Sequence, residues 1–229
     1  MKSLNLFPIT VFKFENPNPQ TDRVISLIEK YNPSQKYGNW EEMTVKTTPG
    51  TLHLDPEFDF LIDWFHECLD KIKQYYILDC DKLDIAVCWG NKSVPGENAA
   101  HHIHTHNLSY MSAVYYITKG SPTVFLDPYY SKGGESIDIL WKRNRDIERE
   151  IIPEPGSLIL FPSWLPHCSR VHTGAKPRYT MSFNTLPVGD VNSGMYGFPM
   201  ANIKLNCYEQ RTESTENTSS ISRGEESSN

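Results

Sequence analysis

The chain has 229 residues, enough for one well-packed domain without obliging a second. An apolar fraction of 38% and an aromatic fraction of 12% supply a real core and exclude wholesale disorder. A formal net charge of −6 excludes a general electrostatic pull toward nucleic acid or anionic membrane.

From Leu4 to Phe14 apolar residues alternate around Pro8, as an edge strand tolerates, and no secretion-signal core precedes them. After the turn-rich ENPNPQT, residues Val24, Ile25, Ile28 and Tyr31 fall at helical spacing, with Thr21 or Asp22 available as a cap. Residues 32–51 read as a loop, with Trp40 a packing anchor within it. Asp55-Pro56 opens the clearest helix, running to about Tyr76, and Phe58, Leu61, Ile62, Phe65, Leu69 and Ile72 draw its apolar stripe. His53 and His66, in or beside it, read as surface or packing residues.

Beyond Leu83 the pattern changes to strands. Strand character is expected at Leu83–Trp89, through the histidine-rich stretch into Tyr110–Thr118, and at Thr123–Leu126. It is expected again at Ser136–Trp141, Glu150–Ile152, Ser157–Phe161, His167–His172 and Arg178–Asn184. Helices first and short strands after predict a mainly β jelly roll with helices packed on one face. The reading is one domain over residues 1–210, helical over about 20–78, with a β core over about 83–187. Residues 211–229, polar and low in complexity, are expected to be disordered. No stretch approaches the ~18 apolar residues of a membrane span. Cys68, Cys80, Cys88, Cys168 and Cys207 lack CxxC spacing and read as reduced thiols of a cytoplasmic protein.

The sharpest chemical signal is HHIHTHNLSYMSAVYY, residues 101–116. His102, His104 and His106 are spaced by two, so on an extended strand they share one face and can offer two nitrogens to one metal ion. A catalytic site needs a distant third ligand, and His167 follows FPSWLP, where a short strand meets a turn. Arg178 opens a further strand, where a buried guanidinium can clamp a carboxylate or serve as a structural ion pair. His101 and His102 read as strand-entry residues, His172 as exposed, and Phe161 and Trp164 as core or rim.

The segments HTHNLSYMSAVYYI, FLDP, PEPGSLILFPSWLPH and RYTMSFN, in that order and spacing, resemble the 2-oxoglutarate/Fe(II) oxygenases of bacteria and phages, relatives of the prolyl-hydroxylase-like dioxygenases. The resemblance implies a double-stranded β-helix that binds Fe(II), 2-oxoglutarate and O2, and hydroxylates a substrate such as a prolyl or other amino-acid residue. It implies His104 and His167 as metal ligands and Arg178 as the partner of the distal carboxylate of 2-oxoglutarate. Thr180, on the same face as Arg178, with Asn91 and Tyr116, would line the cosubstrate pocket.

One position departs from the family pattern: His106 stands where a carboxylate ligand is usual. Three readings are open. His106 is the third ligand, or Asp127 of FLDP swings in, or water or an anion fills the position with His106 behind it. Histidine is too large for the halide site of the halogenases in this superfamily. Two other functions stay open: a three-histidine cupin-type metalloenzyme without 2-oxoglutarate, hydrolytic with zinc, and a non-enzymatic jelly-roll binding module. The partner is a small-molecule or peptide substrate; membrane is excluded, nucleic acid is not favoured, and the oligomeric state is left open.

Overall fold

In the computed structural model of the chain, residues 8–36, 45–128 and 147–205 are described, and strands dominate them. The order begins β1 (Phe12–Glu15), α1 (Thr21–Lys30), β2 (Gln35–Lys36), β3 (Lys46–Thr47), α2 (Asp59–Tyr76) and β4 (Lys82–Ser93). It continues with β5 (Met111–Tyr116), β6 (Thr123–Leu126), β7 (Glu148–Ile151), β8 (Ser157–Pro162) and β9 (His167–Ser169). Last come β10 (Arg178–Val191), α3 (Ser193–Tyr196) and β11 (Ala201–Ile203). The strands form an antiparallel major sheet ordered β1-β8-β5-β10-β4-β3-β2, with β11 on β10, and a minor sheet ordered β7-β6-β9. This is the expected mainly β, double-stranded β-helix architecture.

Two compact units divide the chain: Met1–Leu52 with Val87–Leu186, and His53–Ala86 with Pro187–Asn229. In the first, the two sheets bury a shared core of Tyr116, Phe125, Ile159, Phe161 and Leu165, packed about by Ile9, Val11, Val114 and Ile151. The near-continuous apolar run of β8, buried from Ser157 to Phe161, marks a strand covered on both faces. Its pairing with β5 sets Ser112 opposite Phe161 and Val114 opposite Ile159.

Helix α1 also belongs to this unit and buries Val24, Leu27 and Ile28. It can lie close to β4 because Gly90 has no side chain: a Cβ there would sit 2.9 Å from Ile28 Cγ1. Glu29 on the same helix accepts from Lys92 Nζ at 2.9 Å and from the Tyr179 hydroxyl at 2.8 Å, tying it to β4 and β10. In the second unit α2 buries Leu61, Ile62, Phe65, Leu69 and Ile72 of the expected stripe, joined by Cys68, while Phe58 is buried from the turn before it. Asp84, also buried, holds His66 Nε2 at 3.0 Å and Lys82 Nζ at 2.7 Å, so His66 is a packing residue with a polar anchor. His53 is buried as well.

Several local expectations are corrected. The N-cap of α1 is Gln20, in the left-handed region at φ 44° and without a side-chain bond, rather than Thr21 or Asp22. Asp55 does cap, but the turn it caps is a 3-10 turn over Pro56–Phe58, and α2 begins only at Asp59. The 32–51 loop contains β2 and β3, too short for periodicity to reveal. β4 and β10 outrun their expected ends because paired neighbours carry the ladder through polar residues. The expected histidine strand is irregular backbone holding one bridge, His104 to His167. Trp40, the strand at 136–141 and the 211–229 tail lie outside the described residues. Among the described residues no helix is long and apolar enough to cross a membrane, and Cys68, Cys80, Cys88 and Cys168 are free.

Because Ile28 is fully buried and cannot swing aside, Gly90→Val is expected to cost about 1–3 kcal/mol by overpacking. Ile28→Ala should cost less in the Gly90→Val background than alone, a negative coupling that thermal melts of the four proteins in a double-mutant cycle will show.

Candidate metal centre

A strand in which every second residue faces inward makes a ruled wall, and β10 is such a wall. Arg178, Thr180, Ser182 and Asn184 line a cavity of about 350 Å³, while Tyr179, Met181 and Phe183 between them are buried elsewhere. Val87, Trp89 and Asn91 of β4 line it at the same period, and Thr47 of β3 adds to that side. His101, His104, His106 and His167 line it too.

Backbone bonds bring the histidines together. His104 N–H donates to His167 O and His167 N–H to His104 O, each at 3.0 Å, and His106 N–H donates to Ser163 O at 2.9 Å. One ring nitrogen from each of His104, His106 and His167 then lies within 4.8 Å of the others. The Nε2 atoms of His106 and His167 are 3.3 Å apart. Ligand nitrogens ~2.1 Å from a common ion are separated by roughly 3 Å when they subtend a right angle, so this spacing suits a shared metal.

Two rings are oriented by carbonyls. His104 Nδ1 meets His102 O at 2.6 Å and His167 Nδ1 meets Leu165 O at 2.9 Å. A carbonyl only accepts, so both Nδ1 atoms carry the proton and both Nε2 atoms keep a lone pair for a metal. His106 differs: its Nδ1 faces the side-chain amide of Asn184 at 3.3 Å. Phe161 stands edge-on to His167 with centroids 4.7 Å apart, and Trp89 lies 6.1 Å from His106.

The electrostatics favour neutral imidazoles. Burial, then the neighbouring His104, takes His106 down to about 4 and His167 to about 3. Burial lowers His104 as well. His101, pulled to about 3 by burial and next by Arg178, holds Ser169 Oγ at 3.2 Å through Nδ1. A ligand that is already neutral loses no proton when it binds a metal.

Arg178 is 2% exposed, and burial lowers its pKa from the usual arginine value. Its Nε has no hydrogen-bond partner, and no carboxylate among the described residues pairs with it. A buried guanidinium left this way is costly unless an anion completes it. Gly120 makes room for its stem, since a Cβ at Gly120 would lie 2.7 Å from Arg178 Cδ. Asn91 Nδ2 donates to Thr180 Oγ1 and Ser182 Oγ, both at 3.2 Å, holding the adjoining wall. Three neutral imidazoles and an uncompensated cation in one cavity fit a divalent metal and an anionic chelator.

The sequence-predicted residues converge unevenly. His104, His106, His167, Arg178, Thr180 and Asn91 reach the cavity wall. Tyr116 stands behind it, donating to Thr123 Oγ1 at 2.7 Å, with its hydroxyl pushed up to about 12 by burial. Asp127 is outside the histidine group, its backbone N–H bonded to Ile147 O at 2.8 Å. His172 is buried rather than exposed, its Nε2 2.7 Å from Lys176 O, closing the turn before β10. Trp164 is exposed and outside the cavity lining, and Phe161 is a core residue. Sequence reasoning missed Ser182 and Asn184, although the same alternation that links Arg178 to Thr180 continues to both.

Residues 87–184 match the family model described as "Putative 2OG-Fe(II) oxygenase". No curated protein sequence matches the chain. Among solved structures, a Pseudomonas putida prolyl-4-hydroxylase is similar at 14% identity and TM-score 0.56, covering 79% of this chain and 94% of that one. HygX from Streptomyces hygroscopicus, solved with nickel and 2-oxoglutarate bound, is similar at 11% identity and TM-score 0.53, with 78% and 83% covered. The non-heme alpha-ketoglutarate-dependent carbocyclase SnoK of nogalamycin biosynthesis is similar at 10% identity and TM-score 0.60, with 86% and 89% covered. At these identities the structural likeness establishes the double-stranded β-helix. The family match spans the segment that carries His104, His106, His167 and Arg178, so the chain is similar to the 2OG-Fe(II) oxygenases over the part that builds the cavity.

Proposed function

We propose that the protein is an Fe(II)- and 2-oxoglutarate-dependent dioxygenase that hydroxylates an amino-acid side chain, a prolyl residue being the first candidate. The observation that carries this reading is Arg178, a buried cation without an anion, in the same cavity as three histidines able to hold one metal. His104, His106 and His167 would be the ligands, each through Nε2. Arg178 would hold the distal carboxylate of 2-oxoglutarate through two parallel hydrogen bonds, and Thr180 would add its hydroxyl. Asn91 keeps Thr180 in place, and Tyr116 with Thr123 closes the cavity behind the guanidinium.

Fe(II) with 2-oxoglutarate supplies O2 activation, with oxidation of the cosubstrate to succinate and CO2 and insertion of one oxygen atom into a substrate C–H bond. The chain would orient the distal carboxylate through Arg178 and Thr180, with Trp89 an aromatic wall beside His106. With imidazole at position 106 the site carries one unit more positive charge than a two-histidine, one-carboxylate site. The dianionic cosubstrate offsets it. Prolyl hydroxylation rests on the likeness to the Pseudomonas enzyme; a small-molecule substrate rests on the likeness to HygX and SnoK. The rival is a three-histidine enzyme that takes no 2-oxoglutarate, favoured by His106 alone.

Anaerobic addition of Fe(II) and 2-oxoglutarate to the metal-stripped protein is expected to give a saturable visible charge-transfer band. Arg178→Ala should abolish the band or raise the 2-oxoglutarate concentration needed to form it while leaving Fe(II) binding within a few-fold, and Gly120→Val, by displacing the Arg178 stem, should weaken cosubstrate affinity in the same direction. Iron binding with no band in the unaltered protein would give the reading to the three-histidine rival.

The histidine shifts also set a pH dependence. His106 and His167 titrate lower in the folded chain than the ordinary value near 6.5, so the unfolded chain takes up protons first as pH falls. Their stabilisation is complete above about 6.5 and is lost progressively toward about 4 and about 3. The melting temperature of the metal-free protein should therefore fall from pH 7 to pH 4, and His167→Gln should flatten that slope.

A further inference from the structure

Behind His106 runs a chain of groups that neither titrate nor bind metal. Asn184 Nδ2 is 3.3 Å from His106 Nδ1, and Asn184 Oδ1 accepts from Ser112 Oγ at 2.8 Å. Ser112 Oγ meets Ser163 Oγ at 2.8 Å, and Ser163 Oγ meets Ser109 Oγ at 2.6 Å. Ser109 Oγ in turn reaches Met111 O at 3.0 Å and Thr185 O at 3.3 Å. Ser112 and Ser163 are buried, and Ser112 is the cross-strand partner of Asn184. We propose that Asn184, backed by this hydroxyl chain, is a positioning residue that switches His106 between a metal-free and a metal-binding tautomer. The inference rests on the reading of His106 as a ligand.

Each hydroxyl has one proton, so the chain can point in only two consistent directions. In the arrangement observed, the Asn184 amide donates to His106 Nδ1. The His106 proton then sits on Nε2, where it can be donated to His167 Nε2 at 3.3 Å. That acceptor is available, because His167 spends its own proton on Leu165 O. Ser112 donates to Asn184 Oδ1, Ser163 to Ser112, and Ser109 to Ser163. Every group is satisfied without a metal, but His106 has no lone pair to offer one.

Turning the amide by 180° reverses the whole chain. Asn184 Oδ1 now accepts from His106 Nδ1–H, leaving the Nε2 lone pair facing the cavity. Asn184 Nδ2 donates to Ser112, Ser112 to Ser163 and Ser163 to Ser109, whose proton goes to Met111 O. One proton has moved between the two nitrogens of His106 and none has been gained or lost. Both directions end on real partners, which is what a two-position switch needs. His104 and His167, fixed by carbonyls, have no such freedom. The third ligand is thus the adjustable one.

The test is long-range 1H–15N correlation of 15N-histidine-labelled full chain, metal-free and loaded with Zn(II), with His106 assigned through His106→Gln. The unaltered protein is expected to show the Nε2–H tautomer of His106 without metal and the Nδ1–H tautomer with Zn(II). Asn184→Asp, which can only accept, should hold Nδ1–H in both states and tighten Zn(II) binding about 10-fold. Asn184→Leu should keep Nε2–H without metal and weaken Zn(II) by about 10-fold or more, the range seen for lost partners of ligating histidines. A merely structural Asn184 would shift melting temperatures and leave both tautomers unchanged. His106 already Nδ1–H in the metal-free protein, with Zn(II) on its Nε2, overturns the switch and leaves the ligand reading standing. Zn(II) that perturbs His104 and His167 but not His106 overturns the ligand reading and the switch with it. Should the Leu variant fail to fold, the Asp variant carries the test alone: Nε2–H in its metal-free spectrum refutes the proposal.

Discussion

Two hydrogen bonds decide where the histidines meet. The reciprocal pair between the backbones of His104 and His167 fastens an irregular segment to β9, in the minor sheet. Ring positions follow from backbone positions, so this bridge is what turns two histidines far apart in sequence into neighbours. His106 gains its place from the next bond along, to Ser163 O, which precedes His167 by only four residues. A ligand set tied to backbone this way keeps its geometry before any metal arrives. Were the three rings to hold a metal, much of the cost of ordering them would already be met by folding.

The second constraint is the period of two on β10. Arg178, Thr180, Ser182 and Asn184 run down one face, so the guanidinium at one end of the cavity and the amide that faces His106 at the other are built on one rigid strand. The distance between them is set by strand rise, about 3.3 Å per residue, rather than by loop conformation. The same strand therefore controls two things at opposite ends: the cation that would receive a carboxylate, and the amide that faces His106. Gly120 serves this wall by being too small to push the Arg178 stem away, as Gly90 on β4 does for Ile28 of α1.

What the sequence made legible follows from the range over which each signal acts. The stripe of α2 and the strand runs of β5, β6 and β8 rest on local periodicity, and the structure follows them closely. β2 and β3 are two residues each and exist because a neighbour pairs with them, which no local pattern can encode. The histidine stretch was misread as a regular strand because spacing by two suits one. Its convergence on His167 comes instead from a single bridge between irregular backbone and a short strand. Arg178 was readable as a candidate, but its lack of a counter-ion became visible only when the surroundings were folded around it. Asn184 and Ser182 were within reach, had the alternation from Arg178 been followed two steps further.

Imidazole at position 106 brings a choice that a carboxylate does not. A carboxylate at this position would accept hydrogen bonds without choosing a tautomer. Imidazole must choose, because only one of its nitrogens can hold the proton when neutral. Burial has already removed the charged form, since His106 titrates near about 4. The remaining choice is between nitrogens, and it passes to whatever faces Nδ1. At His104 and His167 that is a backbone carbonyl, which permits one answer. At His106 it is an amide with a donor on one side and an acceptor on the other, so with imidazole in this position the residue behind the ring bears on which nitrogen faces the cavity.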